Sequence, residues 1–218
     1  MNHPLALKDR QPIAKGRMRL VFGHPADPDL LVKVIRPDVI EARWGSGTPW
    51  YKRQRRFRQY ISYVREMEEY IAGNAGRPGP YPFAQKIVGF VQTDLGLGLV
   101  VEAVKGRDGG LAPTLVQIIA KRGFDEQVQA DLKSFVQAVI ESDLVIADLN
   151  LNNMVYGHDA RHGDHFVIID GLGLSTILPF KLLSRRFNRA SKAGRVKRMS
   201  SRIERTLKSF GYPPLSSS

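Results

Sequence analysis

The sequence predicts an α+β protein, with short antiparallel strands in its first half and amphipathic helices in its second. Two hairpin patterns, RLVF with LLVKVI and KIVGFVQ with LGLVVEAV, flank a segment of helical spacing. An amphipathic stripe then runs over Asp125–Ser142, with Asp125 placed to cap it. There is no cysteine, which excludes disulfides, thiolate metal sites and cysteine nucleophiles.

In chain order, Ile13–Lys15 reads as a short strand. Arg19–Phe22 and Leu30–Ile35 flank the turn-rich GHPADPD, and Pro37 stops the second of them. From Pro49 to Ala72, Phe57, Tyr60, Ile61, Val64, Met67 and Ile71 recur at helical spacing, which predicts one long helix ended by GNAGRPGPYP. Lys86–Gln92 and Leu97–Val104 form the second hairpin across TDLG. Thr114–Lys121 is a short helix. In the longer one, Val128, Leu132, Phe135, Val136, Val139 and Ile140 share a stripe. VIADLNLNNMVYG then holds a polar loop between apolar flanks, and the strand Phe166–Ile169 ends in Asp170-Gly171.

The 218 residues are 43% hydrophobic and 25% charged, an ordinary globular balance that excludes wholesale disorder. No apolar run reaches the roughly 18 residues that span a bilayer. MNHPLALKDRQP lacks a signal-peptide apolar core, so a cytoplasmic protein is expected. The net charge of +12 is concentrated: Lys181 to Lys208 holds 11 basic residues and one acidic one. Such a segment points to an anionic contact.

The order of these elements resembles the protein-kinase-like fold over Ile13 to Ser175. Lys33 sits mid-strand in LLVKVI, like the third-strand lysine of kinases, and an acidic helix follows it. Val101-Glu102-Ala103-Val104 is similar to the hinge between kinase lobes. Asp148-Leu149-Asn150-Leu151-Asn152-Asn153 matches D-L-x-x-x-N of the catalytic loop, and Asp170-Gly171-Leu172-Gly173 stands in the place of the metal-binding D-F-G. More narrowly, REMEEY, QTDLGLGLVVEAV, ADLNLNNMVY and DGLGLSTILP resemble the small bacterial family called PhoP regulatory network YrbL.

The resemblance implies a two-lobed fold, with a sheet-bearing N-lobe over 1–104 and a truncated, mainly helical C-lobe over 105–218. It implies ATP and Mg²⁺ as cofactors. Lys33 would hold phosphates, Glu66 would fix that lysine, and Asp148 would orient an attacking hydroxyl. Asn153 and Asp170 would supply hard oxygen ligands to Mg²⁺. Backbone near Glu102 and Val104 would meet adenine, and Gly16, lacking a Cβ, would let backbone approach the phosphates. Helical spacing alone places Glu68, rather than Glu66, on the apolar stripe, so Glu68 competes as the lysine partner.

Several residues depart from the kinase pattern. AKGRMR has one glycine, Ile146-Ala147 replace His-Arg, Asn150 replaces the loop lysine, and no A-P-E follows. A protein substrate bound in the usual manner is therefore not expected. The readings are a phosphotransferase acting on a small-molecule or membrane-derived, lipid-like hydroxyl acceptor, a nucleotide-binding regulatory pseudokinase, or a basic membrane- or RNA-associated adaptor.

Two features lie outside that scheme. His158, His162 and His165, interleaved with Asp159 and Asp164, resemble a metal-ligand spacing, but without cysteine or an ordering motif the glycine-containing GHDARHGDH reads as a solvated hairpin turn. In the basic segment, Val196, Met199, Ile203, Leu207 and Phe210 share one helical face. That face packs on the larger lobe, lies on anionic lipid, or belongs to a nucleic-acid-contacting helix. Lys52, Arg53, Arg55, Arg56 and Arg58 form a second basic cluster.

Overall fold

The computed structural model describes residues 3–50, 56–75, 79–173 and 185–213. They divide into two compact units, Met1–Met67 with Lys86–Ala103, and Glu68–Gln85 with Val104–Ser218.

The first unit is built on an antiparallel sheet of order β1-β2-β3-β5-β4: β1 (Ala14–Lys15), β2 (Arg19–His24), β3 (Asp27–Ile35), β4 (Ile87–Thr93) and β5 (Gly96–Glu102). Both predicted hairpins form. β3 is paired on both sides, and Lys33 faces Val21 on β2 and Leu99 on β5. Alternation along β3 divides its side chains between two cores. Val32 and Val34 pack with Leu7 and Phe22, while Leu31 and Ile35 pack with Tyr63, Leu99 and Val101. Lys33 shares the parity of Leu31 and Ile35. It is buried in a central strand, so it is not a lysine snorkelling from a sheet edge. An N-terminal segment missed by the strand patterns bridges Leu5 to Thr93 and buries Leu7 completely.

The stretch between β3 and β4 corrects the single-helix expectation. Pro37 does end β3, but it also opens a short helix, α1 (Pro37–Trp44), as proline at a first helical position can. Helix α2 (Ile61–Asn74) begins after a 3-10 turn at Arg58–Tyr60, where Arg58 takes φ 43°. Lys52, Arg53 and Arg55 of the second basic cluster lie outside the described residues.

The second unit holds α3 (Leu115–Arg122), α4 (Glu126–Glu141), the hairpin β6 (Met154–Asp159) and β7 (Gly163–Ile168), and α5 (Arg185–Ser209). Thr114 and Gln117 close a reciprocal cap at the start of α3, and the Asp125 carboxylate accepts the Val128 N–H at 2.9 Å to start α4. Each such cap stabilises its helix by about 1 kcal/mol. The predicted α4 stripe is buried at Val128, Leu132, Phe135 and Val139. It packs against Phe166 and Ile168 of β7 and against Met199, Ile203 and Leu207 of α5. The apolar face of the basic segment is thus inside the unit. It is not available to a lipid surface, although Phe210 remains 49% exposed.

Candidate functional site

In the second unit the candidate catalytic loop is pinned from below and left polar above. Ile146, Leu149, Leu151 and Met154 are buried in the core, and between them Asp148, Asn150, Asn152 and Asn153 stay at least partly accessible. Asn150 shapes the 3-10 turn Leu151–Asn153: its side chain accepts the Asn152 N–H, and its carbonyl accepts that of Asn153.

Asp170-Gly171 comes to the same place. The Ile169 N–H donates to the Asn153 carbonyl at 2.9 Å. The Ala147 and Asp148 N–H groups converge on the Gly171 carbonyl at 2.7 and 3.3 Å. Gly171 has φ +93°, and a Cβ there would stand 2.7 Å from the Asp148 carbonyl oxygen and 3.5 Å from Asn153 Nδ2. Only glycine fits this turn without a shift. The Gly171 N–H donates to Asp170 Oδ1 at 2.7 Å. Asp148, Asn153 and Asp170 therefore border one corner, and the last two offer the hard oxygen donors that Mg²⁺ favours.

Side chains from α5 hold the segment that leads into this corner. Asn188 Nδ2 donates to the Asp143 and Leu144 carbonyls at 3.0 and 3.1 Å. Lys192 Nζ donates to the Ser142 carbonyl at 2.6 Å and to its Oγ at 3.0 Å, and Arg195 Nε donates to the Ile146 carbonyl. From α2, the Glu69 carboxylate accepts the Val145 N–H at 2.7 Å. Burial pushes the Lys192 ammonium down to about 8, lowers the Arg195 guanidinium and raises the Glu69 carboxyl. One helical turn beyond Met199, Arg202 Nη1 lies 3.2 Å from Asp148 Oδ1.

On α2, Glu66 of the first unit is buried and Glu68, where the second unit begins, is exposed. The hydropathy stripe that favoured Glu68 is rotated from the real inner face, since Ile71 on it is 61% exposed. Glu66 forms a two-point pair with Arg19, at 2.7 Å from Nη2 and 3.0 Å from Nη1. Tyr63 Oη donates to the Lys33 carbonyl at 2.8 Å, tying α2 to β3. Gly16 is exposed, and its N–H donates to the Arg19 carbonyl. A Cβ there would make only ordinary contact with that oxygen, at 3.5 Å, so this turn does not itself demand glycine. The Glu102 N–H donates to the Lys86 carbonyl and the Ala103 N–H to that of Asp29, both in the first unit. In the second unit the Val104 carbonyl accepts the Ala112 N–H.

Sequence reasoning missed Arg19, Glu69, Asn188, Lys192, Arg195 and Arg202. The signal for Asn188, Lys192 and Arg195 was positional: residues 188, 192, 195, 199, 203 and 207 repeat every three or four, so the polar ones continue the apolar face, whereas Arg202 lies outside that series.

A model of the family described as PhoP regulatory network protein YrbL matches residues 5–204. The YrbL protein of Escherichia coli (strain K12) is 23% identical over 185 residues, covering 83% of this chain and 79% of that protein, and YrbL of Shigella flexneri gives the same values. The crystal structure of Rad53 1–466 in complex with AMP-PNP aligns with a TM-score of 0.56 at 17% identity, over 95% of this chain and 48% of that one. This chain thus spans about half the length of that structure. The PknI kinase domain of Mycobacterium tuberculosis aligns at a TM-score of 0.45 and 18% identity, over 74% and 56% of the two chains. With the five-stranded antiparallel sheet and the helices that follow it, the likeness to Rad53 makes the fold α+β and protein-kinase-like.

Proposed function

The chain belongs to the PhoP regulatory network protein YrbL family, and from its kinase-like fold we propose that it is an ATP- and Mg²⁺-dependent phosphotransferase for a small-molecule or membrane-derived hydroxyl. The observation that carries this reading is the corner shared by Asp148, Asn153 and Asp170, drawn together by the Gly171 turn. Asp148 would accept the hydrogen bond of the acceptor hydroxyl and orient it. Asn153 and Asp170 would hold Mg²⁺, which when bound neutralises phosphate charge. Lys33 would hold the phosphates as a point charge, with Glu66, itself fixed by Arg19, as its positioning carboxylate. Backbone at Glu102 and Val104 would read adenine, and the chain around Gly16 would cover the phosphates.

Arg202 fits a gap in this scheme. The loop position that carries a lysine in kinases is Asn150, and Arg202 brings a guanidinium to the neighbouring Asp148 from α5. We assign it the charge-neutralising role for the transferred phosphate. The small acceptor is favoured because only residues 172–184 separate Gly171 from α5, too few to build the peptide groove of a protein kinase.

A regulatory pseudokinase is the second reading, favoured by the same Arg202–Asp148 pair if it serves to occupy the carboxylate. Thermal unfolding with ATP and Mg²⁺ tests nucleotide binding: the midpoint should rise, and should not rise in Lys33→Ala or Asp170→Ala. Release of phosphate from labelled ATP tests turnover, which Asp148→Asn should abolish while ATP still stabilises the fold. No stabilisation by any nucleotide would overturn both readings and leave a basic adaptor.

A further inference from the structure

We propose that the turn joining β6 to β7 is a transition-metal site, in which Asp159, His162 and His165 bind a borderline divalent cation such as Zn²⁺ and leave a coordination position open. The inference is independent of the phosphotransferase reading.

The hairpin itself builds the site. His158 faces Asp164 and Asp159 faces Gly163 across the strands, so residues 160–162 alone make the connection. Gly163 takes φ +66°, the left-handed conformation that closes a three-residue hairpin loop. That closure folds His162 back beside Asp159 and brings His165, two residues along β7, alongside them. The Asp159 carboxylate is oriented by backbone: Oδ1 accepts the Arg161 and His162 N–H groups at 2.8 and 2.7 Å. Its Oδ2 lies 3.0 Å from His162 Nδ1 and 3.5 Å from His165 Nε2. Ligand atoms around a tetrahedral zinc with bonds of about 2.0–2.1 Å sit about 3.3 Å apart. Both contacts match that edge, and all three ligand atoms lie within 4.8 Å of one another.

The tautomer of His165 strengthens the case. Its Nδ1 lies 3.0 Å from the Gly163 carbonyl, an acceptor, so Nδ1 carries the proton. In the neutral ring the Nε2 lone pair then faces the Asp159 carboxylate. Two acceptors in that position repel unless a proton or a metal ion lies between them. An imidazole N–H held by a backbone carbonyl is also the usual outer support of a metal-binding histidine.

Ligand chemistry selects the metal. Two imidazoles and one carboxylate suit zinc and the later first-row ions, whereas Mg²⁺ and Ca²⁺ take oxygen ligands. His162 and His165 also line a groove of about 520 Å³ with Tyr81, Phe83, Phe135 and Phe166. A molecule in that groove would reach the open coordination position.

Calorimetric titration of the metal-free full chain with ZnCl₂ tests the site. One saturable equivalent is expected, with affinity falling at least about tenfold in each of His162→Ala, His165→Ala and Asp159→Asn. His158→Ala, which removes one of the two partners of Asp164 and leaves Arg107 in place, and His24→Ala should keep the native affinity. With Co²⁺ as a second probe, visible bands of a low-coordinate ion should appear in the native chain and vanish in the His162→Gln/His165→Gln double variant, whose fold is checked by circular dichroism. No one-to-one uptake, or uptake unchanged in the folded double variant, would overturn the proposal. Neither result bears on the proposed nucleotide site, whose residues these variants leave unchanged.

Discussion

Arg202 Nη1 stands 3.2 Å from Asp148 Oδ1, joining the last long helix to the carboxylate at the head of the catalytic-like loop. Fifty-three residues separate them in the chain, so α5 must be docked before the pair exists. Both side chains are roughly half accessible, so the bridge is worth little as a stability element. Its interest is chemical. If Arg202 stabilises charge on a transferred phosphate, Arg202→Gln should lower phosphate release by about 10²-fold. Thermal stabilisation by ATP and Mg²⁺ should stay unchanged, and Arg202→Lys should recover part of the rate. A rise in rate on the glutamine substitution would instead make Arg202 a latch on the carboxylate.

Arg19 and Glu66 behave differently because water is nearly excluded from both, with side chains 7% and 8% exposed. Removing one partner takes a close opposite charge away from a buried one. Glu66→Gln should therefore destabilise the fold by about 3–5 kcal/mol, read by urea unfolding. The double variant Arg19→Met/Glu66→Leu should recover much of that loss, since similar apolar volume replaces the pair. A double variant no more stable than Glu66→Gln would show that Glu66 has other obligations beyond Arg19.

The same polar burial explains what could be read from the sequence. Strand alternation located the sheet, and the α4 stripe located the larger core, because in both the buried residues are apolar. On α2 the inner face is Tyr63, Glu66 and Glu69, and hydropathy assigns two of those three to solvent. The stripe through Ile71 was consequently turned away from the true face. PDVIEARW buries no residue in α1, so no periodic signal existed there. On α5 the apolar half, Met199, Ile203 and Leu207, was legible, while Asn188, Lys192 and Arg195 face inward to meet carbonyls that only folding brings near. At the candidate site, the Asp148-to-Asn153 spacing singled out a polar loop between buried flanks, but not the remote arginine that meets it.

Asn188 offers a direct test of the α5 strap. Its amide donates to two carbonyls that precede the loop, and Asn188→Leu would leave both without that donor. A loss of about 1–3 kcal/mol is expected. Amide exchange at Val145 and Ala147 should accelerate more than at Val128, because the change loosens the segment rather than the α4 core. Uniform acceleration across the unit would show instead that α5 and the loop open only together with the whole core.

Lys192 makes the strap pH-dependent. The residue is 1% exposed, and burial holds its ammonium at about 8, below the 10.5 of a solvated lysine. Between about pH 8 and 10.5 the unfolded chain therefore keeps a proton that the folded chain has released. Stability rises with pH wherever the unfolded state binds more protons, so the Lys192 contribution grows across this window. Below pH 8 both states hold the proton, and folding carries the full cost of burying the charge. Lys192→Met removes this group, together with its lowering effect on the Glu69 carboxyl. Urea unfolding at pH 7.5 and pH 10 should show the native chain gaining on the variant by about 1–3 kcal/mol at the higher pH. A difference between the two proteins that stays constant with pH would mean that the Ser142 carbonyl and hydroxyl, at 2.6 and 3.0 Å, solvate the ammonium as well as water does.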